Sequence, residues 1–340
     1  MPRLLILYTG GTLGMQASPA GYVPSADFDE RLDTALAAYP PGTLPDYALH
    51  SLQPLIDSAD LIPGCWQRMV AVLATAWEHY DGFVILHGTD TMAYTASALS
   101  FLLGTLDKPV ILTGSQIPLG EPRSDALNNI ILAMQAAAHP ATPHEVCLAF
   151  HDRLLRGNRA RKVSSQGMDA FDSPNAPWLG EAGIELRFFP RQPLPAGRPD
   201  FSTIAFEPDR VGLLYCHPGL STRLIEALLD DPHLQGLVLV TYGVGNPPES
   251  QGRLLAGLER AAARGVVAIN LTQCHQGRVQ QGAYATGTAL NTAGVVAGQD
   301  MTVEAAVTKL QVLLGKGLTG DALRQAMTRP LRGEMTLLAP

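Results

Sequence analysis

The sequence predicts an α/β protein of two doubly wound domains with mainly parallel sheets, a larger N-terminal one and a smaller C-terminal one. Short, almost wholly apolar runs recur along the chain, as buried parallel strands require. Longer segments with apolar residues at three- and four-residue spacing separate them, as crossover helices require. The 340 residues also exceed what one ordinary core accommodates.

Taken in order, LLILY (4–8), GFVIL (82–86), PVILT (109–113) and EVCLAF (145–150) read as the strands of the first domain. Between them CWQRMVAVLATAWEHY (65–80), TMAYTASALSFLLG (91–104) and SDALNNIILAMQAAA (124–138) read as its helices. This domain is assigned residues 1–190. The stretch RQPLPAGRPDFSTIAFEP (191–208) is proline-rich and aperiodic, as a linker would be. A second set follows over 209–340, with strands VGLLYC (211–216), GLVLVTY (236–242) and GVVAINL (265–271). Its helices are STRLIEALLD (221–230), ESQGRLLAGLERAAA (249–263) and MTVEAAVTKLQVLLG (301–315). No repeat or low-complexity tract interrupts the pattern.

Charge and composition exclude several classes of function. With 24 basic and 31 acidic residues the net charge is −7, which opposes nucleic-acid binding through phosphates. The densest basic stretch, DRLLRGNRARK (152–162), contains no aromatic for base stacking, and reads as solvated or partner-facing apart from Lys162. The four cysteines lie far apart with no CxxC, and the nine histidines show no ligand spacing, so no metal is expected. The thiols read as reduced and mostly buried. No run approaches the roughly 18 apolar residues of a membrane span, and MPRLLILYTGG is too short in apolar residues for a signal peptide. A cytoplasmic protein without membrane contact is the expectation.

Open parallel sheets bind ligands beyond the carboxyl ends of their strands, so the residues that follow each strand carry the functional signal. Three of these ends are alike: YTGGT (8–12), LHGTDT (86–91) and LTGSQ (112–116). Gly10 and Gly11 permit positive φ and close approach of a substrate to the backbone, delivering the Thr12 hydroxyl. A plain glycine turn with a capping threonine fits equally well on this stretch alone. Thr89 and Asp90 precede a helix, where they either cap it or position a substrate ammonium and a proton-transfer partner. A hydroxyl nucleophile needs a proton acceptor. His87 reads as a hydrogen-bonded structural residue, and Lys162 as a candidate relay. Thr9, one residue away on the opposite strand face from the chemistry, reads as a tie for the turn.

The segments YTGGTLGMQ, HGTDTMAYTASALSF, TGSQIPL, RGNRARK, YGVGN, NLTQC and YATG together resemble bacterial L-asparaginases, in particular the cytoplasmic type I branch. The resemblance spans essentially the whole chain, and TGGT and HGTDT in this order, with residues 13–86 between them, are its specific signature. It implies hydrolysis of L-asparagine to L-aspartate and ammonia through an acyl-enzyme, without a cofactor. It further implies Thr12 as the nucleophile, Tyr22 of the loop GYVP as its activator, and a triad of Thr89, Asp90 and Lys162. Backbone N–H groups near Thr89 would meet the oxyanion, Asp90 the substrate ammonium, and Asp57 and Ser58 of DSAD the α-carboxylate. The Gly-, Ala-, Ser- and Pro-rich GMQASPAGYVPSADF around Tyr22 suits a lid. Self-association as a homodimer or tetramer is implied as well. Two alternatives stay open: the glutamine-hydrolysing amidase subunit of a tRNA amidotransferase, and a non-catalytic amino-acid-binding module.

Overall fold

The computed structural model describes residues 1–19, 21–25, 27–248, 252–282 and 285–337. Residues 249–251, where the ESQGRLLAGLERAAA helix was expected to begin, and Tyr284 of YATG lie outside the described residues, as do Ala20 and Ala26 of the expected lid. The chain divides into two compact units, Met1–Ser202 and Thr203–Pro340. Residues 197–200, in the stretch read as a linker, are fastened to the first unit, where Asp200 N donates to Leu103 O at 2.8 Å and Gly197 N to Leu106 O at 3.2 Å.

The first unit runs β1 (Arg3–Tyr8), hairpin β2 (Met15–Ser18) and β3 (Gly21–Pro24), α1 (Phe28–Leu36), β4 (Asp46–Ser51) and α2 (Pro63–Ala76). It continues through β5 (Gly82–Leu86), α3 (Met92–Leu103), β6 (Val110–Thr113), α4 (Ala126–Ala138), β7 (Val146–Phe150) and β8 (Arg153–Arg156). The short strands β9 (Arg161–Lys162), β10 (Phe171–Asp172), β11 (Gly180–Ala182) and β12 (Leu186–Phe188) close it. The main sheet has the order β12-β11-β8-β7-β6-β5-β1-β4. From β4 to β7 all pairs are parallel, and β8, β11 and β12 add antiparallel neighbours.

Alternation in β1 sends Leu4, Ile6 and Tyr8 into a core with Phe28 and Leu32 of α1 and Ile130 and Ala133 of α4. Phe83 of β5 stacks on Trp77, just beyond α2, with centroids 4.6 Å apart. The sheet is therefore covered on both sides, which explains the continuous apolar runs of its parallel strands. The sheet order has a consequence for function. The chain leaves β1 for β4 on one side, then returns past β1 to build β5, β6 and β7 on the other. Such a reversal opens a crevice at the carboxyl ends of the two strands that flank it, here β1 and β5.

DRLLRGNRARK, expected to be solvated or partner-facing apart from Lys162, is largely interior. Leu154 and Leu155 are buried in β8 between β7 and β11, Arg159 is buried, and Arg156 pairs with buried Glu145 at 2.8 Å. Paired cations bury where a carboxylate or carbonyl meets them, so charge density alone misread this strand.

The second unit contains β13 (Val211–Tyr215), α5 (Thr222–Leu229), β14 (Gly236–Thr241), α6 (Arg253–Ala263), β15 (Val267–Thr272), α7 (Ala285–Thr292), β16 (Val296–Ala297), α8 (Val303–Gly315) and α9 (Gly320–Met327). Its four parallel strands lie in sequential order, β13-β14-β15-β16. α5 and α6 pack with Leu237 and Leu239 on one face, α8 and α9 with Val238 and Val240 on the other. Among the described residues no helix is long and apolar enough to cross a membrane.

Candidate active site

The crevice is built by glycines. After β1 the chain passes through Gly10 and Gly11 at φ +118° and +96°, a region that only glycine enters at low cost. A methyl group on Gly11 would overlap the backbone of Gly88, and one on Gly10 the Ile56 carbonyl. The turns after β1 and β5 are thus in backbone contact at Gly11 and Gly88. Thr12 follows the first glycine and Thr89 the second, so this contact sets the two hydroxyl residues side by side. Thr12 begins a 3-10 turn over Thr12–Gly14. Beneath that turn lies Tyr8, whose ring sits 4.0 Å from that of Phe28. Burial pushes the Tyr8 phenol up to about 12, which keeps it neutral and suits it to scaffolding.

Thr9 donates its hydroxyl to Leu86 O at 2.9 Å and so ties β1 to β5, the structural role its position suggested. Neither Thr89 nor Asp90 caps α3. The N-cap is Thr91, without a side-chain cap bond, and its hydroxyl donates to Ser58 O at 2.8 Å. Asp90 and Thr89 are instead engaged by Lys162, whose Nζ donates to Thr89 Oγ1 at 2.9 Å and to Asp90 Oδ1 at 2.7 Å. Thr89 is buried, whereas the Asp90 side chain is 61% exposed and open to a ligand. Lys162 reaches them from β9, which pairs with β10 through Phe171.

The DSAD segment forms a short 3-10 turn in which Asp57 Oδ1 accepts from Ala59 N at 3.0 Å. Ser58 is buried against Gly88: a methyl there would overlap the Ser58 side chain. The expected lid is a β-hairpin, with Tyr22 opposite Ala17 and 54% exposed. Among the described residues no hydrogen bond to the Tyr22 phenol is found. The structure therefore gathers Thr12, Ser58, Thr89, Asp90 and Lys162, while Tyr22 lies exposed on the hairpin.

Sequence reasoning passed over three supports of this site. Gly88 admits both Gly11 and Ser58, Thr91 holds the Ser58 backbone, and Asp125 fixes the TGSQ turn by accepting from Gln116 N and Ile117 N at 3.0 Å. For Gly88 a signal existed, a glycine directly after a buried strand, whereas the other two are ordinary polar residues in loops. Of the thiols, Cys147 and Cys216 are buried, Cys65 is half-buried and Cys274 is exposed.

Chemically, the arrangement offers a hydroxyl on a glycine turn, a second hydroxyl hydrogen-bonded to an amine, and an accessible carboxylate on that same amine. Among the described residues no group of three or more His, Cys, Asp or Glu side chains is disposed to hold a metal. A family model described as "Asparaginase, N-terminal" matches residues 3–194, and one described as "Glutaminase/Asparaginase C-terminal domain" matches residues 210–327. The chain is 46% identical over 333 residues to L-asparaginase 1 of Escherichia coli, covering 98% of both. It superposes on L-asparaginase I of Vibrio cholerae with a TM-score of 0.89 at 43% identity, covering 99% of each chain. The thermostable L-asparaginase from Thermococcus kodakarensis gives 0.89 at 34% identity, covering 99% of this chain and all of the other.

Proposed function

The chain belongs to the asparaginase family of hydrolases, and from that premise we propose that it hydrolyses L-asparagine to L-aspartate and ammonia with Thr12 as nucleophile. Thr12 attacks the side-chain amide carbon, ammonia leaves, and water cleaves the resulting acyl-threonine ester. The Lys162 amine and the Thr89 hydroxyl form the path along which a proton moves to the leaving nitrogen, with Asp90 holding Lys162 in place. Thr89 N–H receives the oxyanion. The exposed oxygen of Asp90 takes the substrate ammonium, and Ser58, on the turn capped by Asp57, takes the α-carboxylate. The hairpin carries Tyr22 over Thr12 when substrate is bound, excluding water during acylation.

The observation that supports this reading best is the backbone contact of Gly11 with Gly88, which sets Thr12 beside the Thr89–Lys162–Asp90 chain. No cofactor enters any step. A cytoplasmic enzyme that self-associates as a homodimer or tetramer is part of the same reading, and sedimentation velocity measures the second point.

Ammonia release from asparagine and from glutamine, compared between wild type, Thr12→Ala and Thr89→Val, tests the proposal. Both variants are expected to lose roughly 10³-fold or more in kcat with unchanged far-UV circular dichroism. Near-normal turnover by Thr12→Ala overturns the nucleophile. A wild type that releases ammonia only from glutamine supports the amidotransferase-type alternative, and one that releases none from either supports a binding module.

A further inference from the structure

Behind the crevice lies a row of three buried hydrogen bonds that the proposed chemistry has not used. Trp66 Nε1–H donates to Thr95 Oγ1 at 3.1 Å, Thr95 Oγ1 meets His87 Nε2 at 3.0 Å, and His87 Nδ1 meets the Gly88 carbonyl at 2.7 Å. All three side chains are at most 3% exposed. The direction of every bond follows from donor inventory. A carbonyl only accepts, so Nδ1 carries the proton. Complete burial lowers the His87 pKa to about 4, so the ring is neutral and Nε2 is a bare acceptor. Thr95 must then donate to Nε2, and its oxygen accepts from the indole, which can only donate. The row runs one way, from Trp66 through Thr95 and His87 to Gly88 O.

The carbonyl at its end belongs to the peptide whose N–H is that of Thr89. Among the described residues this N–H has no partner within the protein, although Thr89 is only 6% exposed. Buried backbone donors are almost always paired, so one left open beside a reactive hydroxyl points to an acceptor supplied by the reaction. Hydrogen bonds that share one amide reinforce each other, because donation to its oxygen increases the polarity of its N–H.

We propose that His87 is a positioning residue for amide hydrolysis, which fixes and polarises the Gly88–Thr89 peptide so that Thr89 N–H meets the oxyanion. Thr95 and Trp66 hold His87 in the tautomer that can do so. The proposal rests on the hydrolytic reading above, and it assigns a task to a histidine that neither attacks nor moves a proton to substrate.

His87→Leu removes the donor, His87→Asn returns a donor at the Nδ1 position, and Thr95→Val interrupts the row one bond away, with Thr95→Ser restoring it. Removing one oxyanion donor outright costs about 10²–10³-fold in kcat, so loss of its support is expected to cost about 10–100-fold in His87→Leu. KM for asparagine and the Kd of L-aspartate, which presents no tetrahedral oxyanion, are expected to stay within about threefold. His87→Asn and Thr95→Ser recover most of kcat, and Thr95→Val falls between. Should His87→Leu fail to fold, the Thr95 pair decides. A kcat within twofold of wild type in the donor-less variants overturns the proposal, as does a parallel fall of kcat and aspartate affinity, the mark of a collapsed loop. Imidazole ¹⁵N spectra read the row without turnover: His87 is expected as the Nδ1–H tautomer at neutral pH, and an Nε2–H signal overturns the assignment. An inactive wild type with the Nδ1–H signal refutes the hydrolytic reading, whereas an active wild type with a harmless His87→Leu refutes this one.

Discussion

Lys162 and Lys309 each meet a carboxylate, at 2.7 Å from Asp90 in the first unit and 2.6 Å from Glu334 in the second. The first pair is open, with side chains 22% and 61% exposed, and the second is wholly enclosed, at 0% for both. Their surroundings differ in kind. Lys162 also meets a hydroxyl beside a glycine crevice, whereas Lys309 donates to Arg329 O, and Glu334 accepts from Leu331 N and Arg332 N. The enclosed pair clamps the segment after α9 onto α8. Burial lowers the Lys309 pKa and Glu334 opposes that shift, so the pair is held together by mutual dependence. The topology explains the division of labour. Strand order reverses in the first unit and opens a crevice between β1 and β5, while among the described residues the second unit's sequential order has no such switch point.

The two lysines should fail in opposite ways. Lys162→Met is expected to lower kcat about 10³-fold or more while leaving the melting temperature nearly unchanged, since an exposed ion pair contributes at most about 1 kcal/mol. Lys309→Met leaves a buried carboxylate without its cation and should destabilise by about 3 kcal/mol, or roughly 10 °C in Tm, with kcat of the folded protein unchanged. Steady-state kinetics and calorimetry on the same two variants decide. Equal thermal losses in both would erase the distinction between a working pair and a clamp.

How far this contrast was legible in the sequence depended on locality. The parallel strands were legible because burial on both faces makes them unbroken apolar runs. β4, reading DYALHS, was not, since it is a half-exposed edge strand with mixed polarity. RLLR of β8 was obscured by its flanking charges, whose partners Glu145 and Asp169 lie elsewhere in the chain. At the site, TGGT and HGTDT were visible because glycine beside hydroxyl at a strand end is a local pattern. Lys162 was offered as a relay by residue type alone and joined to Thr89 and Asp90 only by resemblance to a family, for its 72-residue separation from Asp90 leaves no periodic trace. The Trp66–Thr95–His87 row is equally silent, being formed only when α2 and α3 pack together.

Acid should separate the units as well. His87, with a pKa near 4 when folded against an ordinary 6.5, binds its proton more readily in the unfolded chain. Its contribution is therefore fully present above pH 6.5 and is lost as pH falls towards 4 and below. The loss amounts to about 2 kcal/mol between pH 8 and pH 5, and about 3 kcal/mol in all. The histidines of the second unit, His217, His233 and His275, are exposed rather than enclosed. Denaturation curves at a series of pH values should show this slope in wild type and lose it in His87→Asn. An unchanged slope in the variant would trace the acid sensitivity to other groups.

The smallest expected effect concerns how the two units begin a helix. Thr302 caps α8, its hydroxyl accepting from Ala305 N at 3.0 Å, whereas Thr91 stands at the same position of α3 and gives its hydroxyl to the Ser58 carbonyl. Replacing a working cap by alanine costs about 1 kcal/mol. Thr302→Ala should therefore lower stability by that amount in chemical denaturation without altering kcat or KM. Thr91→Ala removes no cap, so its stability cost should be smaller, and loosening the Ser58 turn should raise KM for asparagine severalfold. The start of α3, without a side-chain cap bond, is then not a defect of folding: it lies beside Thr89, where a side-chain cap would compete with an anionic ligand. A Thr91→Ala protein with unchanged KM and a full capping loss would show that α3 is capped for stability like α8, and that the crevice owes nothing to its open end.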